Sequence, residues 1–381
     1  MTARITEDGG GELADEIAVH GTWDAKFAGV ADAFASNLED DLEIGAAFAA
    51  TIGGEPVVDM WAGHADVAKT RPWERDTIVN MWSSTKAMVT TCAHMLVDRD
   101  LLDIEEPVSR YWPEFAQAGK ESMPVKYLLS HRSALTNLSG EILPIETFYD
   151  WDLMAEKLAA QAPLWLPGGE SAYHNVTFRF LVGEIIRRIS GKSVGTFLRD
   201  EIAEPLGADF HLGLGDEHFG RVAELLAPPP RTPRPGAPVS NPTILLSAGN
   251  RPEWRRAEIP AANGHGNARS VARIMSALAC GGEVDGVRLM REETIANAIR
   301  EQVNGMDRTL REPISWGAGF MLITAEHPFG PNPRIFGHTG AGGSQAFADL
   351  DAQVSWSYAM NKMTMKGARA KRIVNALYAA L

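Results

Sequence analysis

The chain has 381 residues, 45% hydrophobic and 22% charged, a globular composition with enough length for a sizeable core. Against 49 Asp and Glu stand 36 Lys and Arg, a formal net charge of -13. That excludes the overall basic footprint of a nucleic-acid binder and disfavours anionic membrane surfaces.

Met1 to Asp8 carries early acids and no apolar stretch, so no secretory signal is read there. No run of about 18 apolar residues follows, so no membrane helix is expected. Cys92 and Cys280 are too few and too far apart for a disulfide scaffold or a Cys-rich zinc module. Two buried thiols in a reducing compartment are expected, with a single disulfide as the alternative. These bounds describe a soluble cytoplasmic protein.

Phe27, Val30, Phe34 and Leu38 recur at helical spacing and predict a helix over Ala25 to Leu38. Ile44 to Ile52 and Pro56 to Ala62 flank Gly53-Gly54, a hairpin signal because Gly accepts the positive φ of tight turns. Ser83 to Leu102 predicts a helix with Ala87, Met88, Cys92, Met95 and Leu96 on its apolar stripe. Further helices are predicted over Trp151 to Ala160 and Thr177 to Ile189, the second ended by Ser190-Gly191. Ala227 to Pro242 is too rich in proline for helix or central strand and reads as an extended surface excursion or a linker. Ser270 to Ala279 returns to helix. Ser315 to Thr324, Arg334 to Gly337, Ser344 to Asp349 and Val354 to Asn361 predict strands, and Lys366 to Leu381 a closing helix.

Strands at both ends enclosing helices predict an α+β fold. An antiparallel sheet flanked by helices would be built from both chain ends, with a mainly helical domain inserted. The boundaries follow as 1–82 with 308–381 for the sheet domain and 83–307 for the helical domain, the active site lying at their junction.

The ten histidines are scattered, with no His-Glu-x-x-His and no paired-Cys spacing, so neither metal nor organic cofactor is expected. His94, on a predicted helix, reads as a packed or surface residue. No Gly-x-Ser-x-Gly elbow occurs, which argues against an α/β-hydrolase. Met81-Trp82-Ser83-Ser84-Thr85-Lys86 does contain Ser-x-x-Lys at a predicted helix start. Three residues span almost one turn, so Ser83 and Lys86 share a face. A serine hydroxyl becomes a useful nucleophile once a base removes its proton, and a lysine can do so if burial or charge lowers its pKa. The bland alternative is a helix-capping serine with a solvated lysine.

Leu166 to Asn175 is a Pro-Gly turn running into Tyr173-His174-Asn175, where a phenol near a lysine can relay a proton. Phe336 to Ser344 (FGHTGAGGS) places glycines beside a predicted strand, where a backbone N–H can complete an oxyanion hole with that of Ser83. Trp82 and Trp316 are candidates for either pocket lining or core packing.

Ser-x-x-Lys, then Tyr-x-Asn, then His-Thr-Gly resembles the serine β-lactamase and penicillin-binding-protein superfamily and is similar to its class C branch. Val125 to Leu135, Phe178 to Gly207 and Gln345 to Met363 resemble the segments around these motifs, so the likeness covers most of the chain from Ile44 onward. It implies a β-lactamase/transpeptidase-like fold with Ser83 as acylated nucleophile. Lys86 and Tyr173 would share general-base and relay roles. The backbone N–H groups of Ser83 and Ala341 would form the oxyanion hole, and Asn175, His338, Thr339 and Gly340 would bind substrate.

His338 departs from the lactamase pattern, which has lysine there. Lysine meets the carboxylate of a β-lactam, whereas histidine is mostly neutral at pH 7. The swap is similar to the family VIII carboxylesterases. The expectation is a serine carboxylesterase for short-chain esters, with a small-molecule ester as partner and the oligomeric state left open. A β-lactam or amide hydrolase, an acyltransferase and a non-catalytic peptide-binding or structural homologue are the alternatives. Asn175, a lactamase-like feature, favours slow acylation by β-lactams. His338→Lys should raise the rate of acylation by penicillins relative to neutral esters, and an unchanged ratio would remove this position from charge selection.

Overall fold

In the computed structural model, which describes residues 18–229, 240–364 and 368–381, strands from both chain ends share one sheet. In chain order they are β1 (His20–Trp23), β2 (Gly45–Ile52), β3 (Glu55–Gly63), β4 (Val303–Met306) and β5 (Pro313–Trp316). β6 (Met321–Leu322), β7 (Ile335–Thr339), β8 (Gln345–Asp349) and β9 (Val354–Met360) follow. The spatial order is β1-β3-β2-β9-β8-β7-β6-β5-β4, and every pairing is antiparallel. The Gly53-Gly54 turn joins β2 to β3, with both glycines at positive φ. The longer helices are α1 (Ala28–Glu39), α2 (Thr85–Asp98), α3 (Trp151–Ala160), α4 (Phe178–Ser190), α5 (Ala268–Ala279) and α6 (Ala368–Ala379).

The residue types of β9 decide what covers each face of the sheet. Successive side chains of a strand point to opposite faces. Ser355 Oγ donates to the Ala272 carbonyl of α5, while the neighbouring Trp356 ring meets Tyr378 of α6 edge-on at 5.8 Å. Thus α5 and α6 lie on opposite faces. Small residues (Ser355, Ser357 and Ala359 opposite Thr51, Ala49 and Ala47 of β2) let α5 approach closely. The large residues Trp356, Tyr358 and Met360 fill the other layer. All seven residues of β9 are buried.

α2 is buried from Thr85 to Leu96. The turn between β5 and β6 packs on it: Thr90 Oγ1 donates to the Gly319 carbonyl, and His94 Nε2 lies 2.7 Å from the Ala318 carbonyl. His94 is therefore a packed residue, held down to about pKa 4 by burial. Gly319 has φ +101°, and a Cβ there would sit 2.6 Å from Thr90, so this turn requires glycine.

Several expectations change. Ser315 to Thr324 is two short antiparallel strands rather than one, because Gly317-Ala318-Gly319 reverses the chain. The helix expected to reach Leu102 stops at Asp98, where the chain turns through Asp100 at φ +57°. Cys92 is buried as expected, but Cys280 is partly exposed; both are free thiols. Sheet structure begins at Val303, ahead of residue 308, and α5 packs on the sheet although it falls within 83–307. Of Ala227 to Pro242, residues 230–239 lie outside the described residues. No helix among the described residues is long and apolar enough to cross a membrane.

Trp356 stacks on Phe347 at 5.5 Å within this large-residue layer. Trp356→Ala should cost about 3–5 kcal/mol of unfolding free energy in urea titrations, and a loss under about 1 kcal/mol would contradict the packing described.

Candidate active site

A short strand, Val79–Asn80, leads into the helix through Trp82, whose φ of +47° is uncommon for a bulky residue. This bend puts Ser83 in a 3-10 turn (Trp82–Ser84) directly before α2. Met81 N–H donates to the Gly264 carbonyl, and the Trp82 ring packs on Trp254 with centroids 5.4 Å apart, so both sides of the bend are anchored.

Lys86 is the second residue of α2, with none of its surface exposed. Its Nζ is 3.2 Å from Ser83 Oγ and donates to the carbonyls of Asn175 and Ala261 at 2.9 Å each. A neutral amine has two N–H donors and one lone pair, which match two carbonyls and one hydroxyl. An ammonium, by contrast, would place three donors and a full charge among neutral partners. Burial accordingly holds the Lys86 pKa well below the ordinary lysine range. The solvated-lysine alternative is thereby excluded.

The Ala261 carbonyl was not foreseen. Asn263 folds its loop by donating to the carbonyls of Trp254 and Ala257 while accepting from Ile259 N–H. A lone asparagine between two glycine-bearing motifs gave no signal of this role.

Tyr173 lies in the loop ahead of α4, its ring 4.7 Å from Lys86 Nζ. Its N–H donates to Asp307 Oδ1, and Ala172 N–H donates to the His131 carbonyl. Asp307 is fully buried and also accepts from Ser171 Oγ and the amides of Thr309 and Leu310, so one carboxylate sets the path of the tyrosine loop. Nothing in the sequence pattern marked it. Burial pushes the Tyr173 phenol pKa up, opposed in part by the nearby Ser83 hydroxyl, so the phenol is protonated at neutral pH. Its hydroxyl has no formed hydrogen bond among the described residues.

The ring of Tyr173 stacks on Trp316 at 5.7 Å and 9°, with His131 edge-on at 4.8 Å and His338 tilted at 5.8 Å. Trp316 is therefore packing, as is Trp82; neither lines the cavity. His338 is buried in β7, with Nδ1 2.6 Å from the Thr339 carbonyl. Burial and the nearby Lys86 bring its pKa down to about 3, so it is neutral across the physiological range.

Two serine hydroxyls join the Ser83 turn to the end of β7. Ser344 Oγ donates to the Met81 carbonyl at 2.7 Å and lies 3.1 Å from Ser84 Oγ. A Cβ on Gly340 would fall 2.4 Å from the Met81 carbonyl, so only glycine permits this approach. Neither the Ser83 nor the Ala341 N–H takes part in a hydrogen bond among the described residues. Both residues line one cavity of about 640 Å³ with Tyr173, Asn175, His338 and Thr339. Asn175 is exposed at its edge and gives its backbone carbonyl, not its side chain, to Lys86. No group of metal-ligating side chains occurs among the described residues.

A helix-start serine bonded to a desolvated lysine, beneath one cavity and beside a protonated phenol, is the architecture of a serine hydrolase. The Beta-lactamase family model matches residues 31–380, and the chain belongs to that family. Esterase/beta-lactamase LipL of Mycobacterium tuberculosis is 35% identical over 372 residues, 91% of this chain and 83% of that protein. The crystal structure of a family VIII carboxylesterase matches with a TM-score of 0.90 at 39% identity, covering 96% of this chain and 100% of that one. A penicillin-binding protein homologue from Caulobacter crescentus matches with a TM-score of 0.88 at 42% identity, with the same coverage.

The lowered pKa of Lys86 has a measurable consequence. Between that value and about 10.4, the amine is neutral in the folded protein and protonated in the unfolded chain. The unfolded state then binds more protons, so this group's contribution to stability rises with pH. From pH 7 to 9, wild type should gain up to about 1.4 kcal/mol per pH unit over Lys86→Met in urea unfolding. Parallel pH profiles would show that Lys86 is charged in the folded state.

Proposed function

We propose that the protein hydrolyses carboxylic esters of small neutral acyl groups through an acyl-Ser83 intermediate. The observation that carries this reading is the match of Lys86 Nζ to two carbonyls and the Ser83 hydroxyl. In this reading the Lys86 lone pair takes the Ser83 proton as Oγ attacks the ester carbonyl. The resulting oxyanion is met by the N–H groups of Ser83 and Ala341. Collapse expels the alkoxide, which takes the Tyr173 phenolic proton while Tyr173 takes one from the Lys86 ammonium. Water then repeats the sequence on the acyl-enzyme and releases the acid. The raised phenol and lowered amine favour Lys86 over Tyr173 as first base.

Neutral His338 supports a preference for uncharged acyl groups. Asn175, Thr339 and Gly340 would contact the substrate, in keeping with their place at the cavity. The same reading divides the chain into a sheet unit and a mainly helical unit, with Ser83 where they meet. The two free cysteines support a reducing, cytoplasmic setting. A β-lactam or acyl-transfer activity on the same serine is the second reading, favoured by the exposed Asn175 and by the relative described as an esterase/beta-lactamase.

Wild type should hydrolyse p-nitrophenyl butyrate, and Ser83→Ala should lower kcat/KM at least about 10³-fold. Intact-mass analysis with a serine-reactive phosphonate should show one adduct in wild type and none in Ser83→Ala. Full activity in Ser83→Ala would refute the mechanism, and absence of any adduct would return the non-catalytic alternative. A chromogenic cephalosporin and an added acceptor alcohol separate the second reading by product.

A further inference from the structure

Resting on the ester-hydrolase reading above, we propose that Arg369 is a positioning residue for the turn Gly340–Ser344, fixing the Ala341 N–H at the developing oxyanion, and that Glu43 and Tyr358 hold Arg369 in place. Arg369, in the first turn of α6, is 2% exposed. Its Nη2 donates to the Gly342 carbonyl at 2.5 Å. Its Nη1 donates to the Glu43 carboxylate and to the carbonyls of Leu42 (3.1 Å) and Lys362 (2.8 Å). The Tyr358 hydroxyl of β9 donates to the same Glu43 oxygen. One guanidinium therefore ties the turn to the segment before β2, to β9 and to α6.

The glycines of the turn fit this arrangement. A Cβ on Gly343 would stand 2.6 Å from Arg369 Nη2, so glycine there makes room for the guanidinium. Gly342 has φ +90°, and a Cβ there would meet Met363 at 2.7 Å. Within the turn, Gly340 N–H donates to the Ser344 carbonyl and Gly343 N–H to the Gly340 carbonyl. These bonds close the turn, and Arg369 and the Thr364 N–H (3.1 Å) hold it from outside at the Gly342 carbonyl. That carbonyl shares a peptide unit with the Gly343 N–H, whose acceptor, the Gly340 carbonyl, shares one with the Ala341 N–H.

The cluster is costly to bury. Glu43 and Arg369 side chains are 0% and 3% exposed, and Glu43 Oε2 has no hydrogen-bond partner among the described residues. Burial pushes the Glu43 carboxyl up to about 7 even with Arg369 beside it. Buried pairs of this kind add little net stability, so the gain here is geometric.

The test compares p-nitrophenyl butyrate with its thiono (C=S) analogue at pH 8, where Glu43 is ionised. Sulfur accepts hydrogen bonds poorly, so the thionoester gains less from the oxyanion N–H groups. In Arg369→Met, kcat for the oxoester should fall at least about tenfold with KM within about twofold, and the oxoester/thionoester ratio should narrow. Arg369→Lys, which keeps a donor toward Gly342, should recover part of the ratio. Glu43→Gln, which keeps the hydrogen-bond groups but removes the charge, should also narrow it, and this variant carries the test if Arg369→Met does not fold. A purely structural role would lower both substrates equally, and an unchanged ratio in the folded variants would overturn the inference. Failure of wild type to acylate Ser83 would instead overturn the ester-hydrolase reading itself.

Discussion

The desolvation of one amine organises the site. A lysine in water is an ammonium, and the Lys86 pKa is lowered because α2 is buried along nearly its whole length. That burial depends on the turn between β5 and β6, on α4 and on the loop folded by Asn263. Two of its contacts are carbonyls rather than carboxylates, and this choice keeps the neutral form favoured. A single acid beside Nζ would restore the charge.

The same economy governs the other polar groups. His338 and Tyr173 are both uncharged, so the bottom of the cavity carries no formal charge at neutral pH. The acids that line it, Glu312 and Glu326, are exposed at its edge with Lys371, while Arg369 is already matched by Glu43. The charged side chains of the cavity therefore stand at its rim and the uncharged ones at its base. The net charge of the whole chain says little about either.

Much of this was legible in the sequence, for stated physical reasons. The helix over Trp151–Ala160 was located to the residue, and the other helices read from apolar spacing lie within a few residues of their predicted ends. The Gly53-Gly54 hairpin and the order of the three motifs were also readable, because each depends on contiguous residues. The exceptions depend on individual contacts outside any local pattern, most of them distant. Gly317 to Gly319 reads as a weak strand until α2 is placed beneath it. Asp307, Asn263 and Arg369 act on residues 134, four and 27 positions away through backbone groups that carry no sequence signature. Trp82 at φ +47° could not be foreseen, since nothing in its neighbours favours a left-handed tryptophan.

The burial of α2 also links the lifetime of the site to that of the fold. A helix shielded from Thr85 to Leu96 cannot fray on its own, because each opened turn would expose apolar side chains together with the Lys86 amine. Ser83, Lys86 and the core between them form one cooperative unit. Heat or denaturant should therefore dismantle the Ser83–Lys86 pair in step with global unfolding, leaving no partly folded state that keeps the pair while the core is lost.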